Sequence, residues 1–351
     1  MIDKNFCMSS YLAFRYIERD DMEFAAGLHH TKDIPYPEEK KTIVYTADDI
    51  ADAYKKAFES KKDINLGILL SGGVDSACLA AFMKPGTHAY TFRFLGGEFG
   101  NIDYERAEKY CQKYGLIHHA VDIDWNTVEK NIDKLMLTKG APVHSIEPQI
   151  MEGAIQAQKD GVEMMVAADG SDLVFGGMDR MLSKDWDFNE WVDFYTFCKP
   201  EDVLVKPVSM DYLYERYRLP ENKIDYLKSI DDVFAHESSG SYCNAFITAG
   251  MKYTPFFDPS AMVKMGEPLD LNRVRNGESK YLIRELFRKC YPELELPEKI
   301  PMPRPVDIYF KNWNGPTRPE FKKDINMSKF TGNQKWQIWC LERFLNLIEN
   351  K

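Results

Sequence analysis

Residues Asn65-Leu66-Gly67-Ile68-Leu69-Leu70-Ser71-Gly72-Gly73-Val74-Asp75-Ser76 decide how the rest of the chain is read. Asn65 to Leu70 is a short apolar run of the kind that forms a buried strand, and it ends at two glycines. A helix is expected from about Asp75 to the stop at Lys84-Pro85-Gly86. Where such a strand turns into a helix, glycines can take backbone angles closed to other residues, so several N–H groups converge on one anion. The helix start adds its positive dipole end at the same place. Ser71, Gly72, Gly73 and Ser76 are therefore the expected anion-binding groups, with the two hydroxyls as donors. Asp75 repels phosphate unless a cation bridges them, and Mg²⁺ is the cation that suits carboxylate and phosphate oxygens. A tight turn with a capping Ser and a first-turn Asp is the plain structural alternative. The strand in front of it favours the anion.

Working outward, the alternation continues. Thr46 to Ser60 has apolar residues at helical spacing, with Thr46 as N-cap. His88–Phe94 reads as a strand, Tyr104–Tyr114 as a helix closed by Gly115, and Ile117–Ile123 as a strand. Pro148–Lys159 reads as a helix and Glu163–Ala168 as a fourth strand. Strands alternating with helices imply an α/β fold, a parallel sheet with helices on both faces. After about Phe175 the strand signal fades, and segments such as Ser279–Cys290 and Asn333–Glu349 suggest a mostly helical C-terminal region. The expected division is an N-terminal segment and linker over 1–45, the latter in the Pro- and charge-rich stretch 31–41, and a catalytic unit over 46–351. Within that unit the α/β part covers about 46–180 and the helical part about 181–351.

A second polar loop, Ala168-Asp169-Gly170-Ser171-Asp172-Leu173, follows the fourth strand and so falls at the same carboxyl edge of the sheet as the first. Asp172 can supply a second carboxylate to the Mg²⁺ held by Asp75, while Asp169 and Gly170 face the same place. No Lys follows the glycines of the first loop, which separates it from the phosphate loop of kinases and GTPases. It resembles the pyrophosphate loop of ATP pyrophosphatases. The two loops together resemble the synthetase domain of the asparagine synthetase family. The similarity extends to Tyr11–Leu28, to Pro255-Phe256-Phe257-Asp258, to Lys280-Tyr281-Leu282-Ile283-Arg284, to Leu296-Pro297-Glu298-Lys299-Ile300 and to the Trp336–Leu347 helix.

That resemblance implies an ATP-dependent ligase that adenylates a carboxylate, releases pyrophosphate and forms an amide. Asp75, Asp169 and Asp172 would be catalytic, Leu70, Ser71, Gly72, Gly73, Asp75, Ser76 and Gly170 would bind ATP or its pyrophosphate, Asp75 and Asp172 would hold the metal, and ATP and Mg²⁺ would be the cofactors. The expected partners are a small-molecule carboxylate and ammonia or an amine, the nitrogen coming free, from the substrate itself or from a separate glutaminase subunit. This sequence departs from the family pattern in four respects. No glutaminase domain or N-terminal nucleophilic Cys is present, Asp169 stands for the usual Glu with Leu173 for a second one, and Met251 and Tyr253 replace a Glu and an Arg. The fourth is the late phosphate-binding basic residue, for which Lys299, Arg304 and Lys311 are the candidates. A non-catalytic nucleotide-binding protein and another ATP pyrophosphatase-type enzyme remain as alternative readings.

Composition agrees with that class. The 351 residues carry a net charge of −10, which argues against nucleic-acid or anionic membrane surfaces as partners. Seven cysteines lie singly without a C-x-x-C pair, as in a reduced, cytoplasmic protein. The start lacks the shape of a signal peptide, and no 18-residue apolar run appears. His118-His119 at a strand start reads as a strand pair in preference to a metal pair, because a metal needs further ligands. Trp186, Trp191, Phe194, Tyr195 and Phe197 read as packing residues.

Overall fold

The computed structural model describes residues 1–30, 36–95, 101–251, 258–267, 278–299 and 305–349, apart from the side chains at 234 and 235. In chain order the strands are β1 (Thr42–Val44), β2 (Leu66–Leu69), β3 (His88–Phe94), β4 (Ile117–Ile123), β5 (Met164–Val166) and β6 (Val263–Met265). Around and between them run α1 (Lys4–Phe14), α2 (Ala47–Glu59), α3 (Val74–Ala80), α4 (Ile102–Tyr114), α5 (Trp125–Lys139) and α6 (Glu147–Lys159). Beyond β5 come α7 (Ser171–Phe175), α8 (Phe188–Tyr195), α9 (Pro200–Val203), α10 (Tyr226–Ala249), α11 (Tyr281–Cys290), α12 (Val306–Tyr309) and α13 (Gly332–Glu349). The parallel sheet, the helices on both its faces and the mostly helical C-terminal region are as the sequence implies. One short strand, β6, interrupts that region and pairs in parallel with β1, a contact across more than two hundred positions that no local pattern announces.

The main sheet is wholly parallel in the order β4-β3-β2-β5. Parallel strands buried on both faces send alternate side chains into two cores. Ile68, Leu70, Ala89, Met164 and Val166 enter one, packed with Tyr54, Leu79, Tyr110 and Phe287 from α2, α3, α4 and α11. Leu69, Tyr90, Val121, Met165 and Ala167 enter the other, with Ile132, Ile150, Phe246 and Leu341 from α5, α6, α10 and α13. Tyr11 and Leu12 of α1 are buried in this second core, so the N-terminal segment packs as part of the body. The aromatic run around α8 packs as its composition suggests, with Trp191 fully buried, stacked on Tyr195 and donating to Ser229 Oγ at 3.2 Å.

Local signals set the ends of several elements. Thr46 caps α2 through a reciprocal pair with Asp49, and Gly115 closes α4 in the left-handed region at φ 66°. The chain runs from β2 out to β3 and β4, then returns past β2 to β5. Strand order therefore reverses between β2 and β5, opening a crevice at their carboxyl ends. Among the described residues no helix is long and apolar enough to cross a membrane.

Helices α5, α6 and α10 are tied under the sheet by one buried carboxylate. Glu147 at the start of α6 is fully buried and accepts from Lys139 Nζ at 2.6 Å, His144 N at 2.8 Å and Asn244 Nδ2 at 2.6 Å. Removing the only cation among these donors leaves a charge with no neutralising partner. Lys139→Met should therefore cost about 3–5 kcal/mol, read as a lowered urea midpoint at unchanged m-value. The paired change Lys139→Met with Glu147→Gln should recover much of the loss, because the uncompensated charge is gone.

Candidate active site

The loop after β2 is held from within. Ser71 N donates to Ser76 Oγ at 3.1 Å, the two hydroxyls lie 3.0 Å apart, and Gly73 N donates to Ser71 Oγ at 3.2 Å. These are the groups expected to face an anion, and here they bond to one another. Helix α3 starts directly at Val74 with no side-chain cap. The glycines serve differently from the sequence expectation, since Gly73 is extended at φ −85° and Gly72 is absent from the positive-φ positions. Gly72 is needed for close approach: a Cβ there would lie 2.7 Å from Asp103 Cα on α4. Its carbonyl also accepts from Tyr110 at 3.1 Å, which fixes the loop to α4.

The loop after β5 comes alongside. Gly170 N donates to Asp258 Oδ2 at 2.6 Å, and a Cβ on Gly170 would press to 3.0 Å on the same atom. This glycine thus seats the loop against Asp258, and its N–H is engaged there. Ser171 Oγ donates to Asp75 Oδ1, joining the two loops directly. Of the Pro255–Asp258 element quoted from the sequence, only Asp258 lies among the described residues, as does Lys299 but not Ile300 of the later stretch.

Asp75 and Asp172 converge on one cation. Lys280 Nζ lies 2.7 Å from both oxygens of Asp75 and forms a short ion pair with Asp172 Oδ1. Lys280 is buried at the N-cap of α11 in a left-handed conformation at φ 55°, unusual for a residue with a side chain. Lys299 adds a second ammonium, 3.2 Å from each Asp172 oxygen and 2.7 Å from Gly177 O. Burial would raise the Asp172 carboxyl, but Lys280 and Lys299 outweigh it and hold it below its ordinary value. The same two aspartates outweigh burial at Lys280 and raise its ammonium. Two carboxylates focused on one centre could hold a hard divalent cation.

Asp169 has a different environment. Its oxygens accept from Ser238 Oγ and, at 2.9 Å, from Ser239 Oγ, both on α10. Burial, reinforced by Glu237 and Asp172 nearby, pushes its carboxyl up to about 6 despite those hydroxyls. Asp258, 2% exposed beneath it, is raised to about 7, chiefly by burial.

These groups line a cleft of about 410 Å³ at the β2/β5 crevice. Ser71, Gly73, Asp75 and Ser76 border it from the first loop, Asp169 and Asp172 from the second, and Leu70 from the strand between. Gly72 and Gly170 stand behind this wall. Arg106, Lys280, Arg284 and Lys299 line the side nearer α4 and α11, whereas Ser238 and Tyr242 line the side nearer α10. Among the described residues Arg284 Nε is buried without a hydrogen-bond partner. Of the three late basic candidates, Lys299 is in the cleft, Lys311 is exposed elsewhere and Arg304 lies outside the described residues. Lys280 was legible only as the first residue of a helix motif, and nothing local marked it as the partner of both aspartates. Ser238 and Ser239 carried no signal beyond their small polar character.

The asparagine synthase family model matches residues 46–239. Over 144 residues the chain is 27% identical to an asparagine synthetase [glutamine-hydrolyzing] of Asparagus officinalis, covering 35% of this chain and 24% of that one. Asparagine synthetase B [glutamine-hydrolyzing] of Escherichia coli (strain K12) is 26% identical over 145 residues, covering 33% and 24%. The matched stretch thus spans about a quarter of the length of these curated relatives. Among solved structures, NMN synthetase from Francisella tularensis aligns with 74% of this chain and 100% of that one at a TM-score of 0.29 and 11% identity, too loosely to bear on chemistry. With more than half of the 351 residues matched by one family model, across both loops of the cleft, the chain belongs to the asparagine synthase family.

Proposed function

We propose that the chain is an AMP-forming carbon–nitrogen ligase: a carboxylate attacks the α-phosphate of ATP, pyrophosphate leaves, and ammonia or an amine displaces AMP to give an amide. The observation that carries this reading is the convergence of Asp75 and Asp172, from two adjacent strand ends, on the single ammonium of Lys280. Membership of the asparagine synthase family supports the same class of reaction.

Charge is laid out to suit such a reaction. Lys280, Lys299, Arg106 and Arg284 gather on one side of the cleft, where a triphosphate's negative charge would be balanced and a leaving pyrophosphate stabilised. The hydroxyls of Ser71 and Ser76 and the N–H of Gly73, bonded to one another, are donors that phosphate oxygens could accept from. Asp75 and Asp172 fit Mg²⁺ because their oxygens already share a cationic centre, and phosphates would give Lys280 new partners. When bound, Mg²⁺ would neutralise charge building on the departing pyrophosphate. Asp169 borders the cleft beside Ser238 and has only hydroxyl partners among the described residues. A carboxylate raised towards neutrality is suited to accept the proton of an attacking amine.

A second reading follows from Lys280 itself. An ammonium seated between both aspartates already neutralises them, as would suffice in a protein that binds nucleotide without turnover. ATP–pyrophosphate exchange separates the two.

Asp75→Ala and Asp172→Ala should each lower Mg²⁺-dependent pyrophosphate release by about 10²-fold or more with circular dichroism unchanged. Lys280→Met should lower it comparably. Wild-type exchange in both aspartate variants at saturating ATP would sink the assignment.

The pH dependence has a definite sign. Asp169 is protonated below about 6, so amide formation should fall as pH drops through that value and level off above it. Asp169→Asn should abolish this limb and slow the amide step by roughly 10²–10⁴-fold. A rate measured from pH 5 to 8 at fixed free amine decides it.

The acid is proposed to be other than aspartate. Asp169 is one methylene shorter than the family's Glu, a retreat on the order of 1 Å that can cost roughly 10²-fold in a positioned reaction. Met251 is buried in the second core, while Tyr253 lies outside the described residues. Aspartate-dependent ATP–pyrophosphate exchange should therefore be weak against a panel of larger or less charged acids. Robust exchange with millimolar aspartate, with asparagine formed on adding ammonium, would refute this.

A further inference from the structure

At the amino-terminal side of the sheet, away from the loops, His88 and His119 bring two ring nitrogens together. Strand register pairs Tyr90 with His119 and His88 with Ile117, so His88 and His119 are diagonal neighbours on one face. The alternation separates His118 from His119. His118 bonds Thr91 Oγ1 at 2.9 Å and stacks on Tyr104, while His119 turns to the other face. There His88 Nδ1 lies 2.8 Å from His119 Nε2, with the rings 16° from parallel. Asp160, which caps the end of α6, places Oδ2 3.9 Å from His119 Nδ1 and accepts from Tyr90 OH at 2.9 Å. One ligand atom from each of His88, His119 and Asp160 lies within 4.8 Å of the others.

We propose that His88, His119 and Asp160 form a site for a divalent transition metal of the Zn²⁺ type, separate from the nucleotide cleft. Two imidazole nitrogens this close can share one proton or, after opening by a few tenths of an ångström, one metal at about 2.0–2.1 Å from each. A nitrogen–nitrogen–oxygen set selects Zn²⁺ or Co²⁺ over Mg²⁺, which takes oxygen ligands. The Tyr90 hydroxyl holds the carboxylate in the way that second partners orient metal ligands. All three residues are partly exposed, leaving a path for the ion and room for a water as fourth ligand. Bound there, the metal pins β3 and β4 to the end of α6.

Co²⁺ titration of the full chain in excess Mg²⁺, without nucleotide, tests the site. One equivalent should bind with the visible bands of a four-coordinate centre, be displaced by Zn²⁺, and raise the thermal midpoint. His119→Gln and, as a milder change, Asp160→Asn should each weaken binding at least tenfold and remove the thermal shift, with circular dichroism preserved. No binding, binding without those bands, or wild-type affinity in His88→Gln or His119→Gln would overturn the proposal and leave a simple hydrogen-bonded histidine pair. The readout needs no turnover, so it stands apart from the ligase reading.

Discussion

A four-stranded parallel sheet has no face that can be left to water, and that constraint organises this molecule. Each strand must feed two cores at once, so at the end of β2 Ile68 and the following Leu70 pack one way and Leu69 the other. Helices α2, α3, α4 and α11 close the first face and α5, α6, α10 and α13 the second. With both faces covered, the strand ends are what the described residues leave open near the sheet's centre. The crossing from β4 back to β5 leaves the crevice beside β2, and the chemistry collects there.

Within the crevice, charge decides where things sit. Asp75 and Asp172 arise ninety-seven positions apart in the numbering yet face one ammonium. Lys280 is buried between the two half-buried aspartates, and their pairing offsets the cost of taking its charge out of water. Asp169 stands outside this cationic field, and burial without a counter-ion explains why it titrates near 6 when Asp172 is held low.

The supporting contacts show how small residues serve the site. Gly72 lets α4 approach the first loop to a distance no side chain would allow, and Gly170 does the same for Asp258 behind the second loop. These glycines act through space, since neither has a positive φ. Their effect is to bring Arg106 and Asp103 of α4 to the cleft wall and to fix the spacing of the two loops.

By itself the sequence determined the alternation of strands and helices, the positions of both loops and the identity of the acidic and hydroxyl groups on them. The reason is that each of these is local: an apolar run of strand length, a glycine pair at its end, and helix caps such as Thr46 and Gly115 all act within a few residues. His88–Phe94 and Ile117–Ile123 were legible to the residue for that reason. Only the tertiary structure decided that β1 pairs with β6, that α1 belongs to the second core, and that Lys280 is the cation both aspartates share. It alone decided that His119 meets His88 in place of its neighbour His118. Such partners are chosen by strand order, register and burial, which depend on the whole chain's packing and leave no periodic trace near the residues themselves.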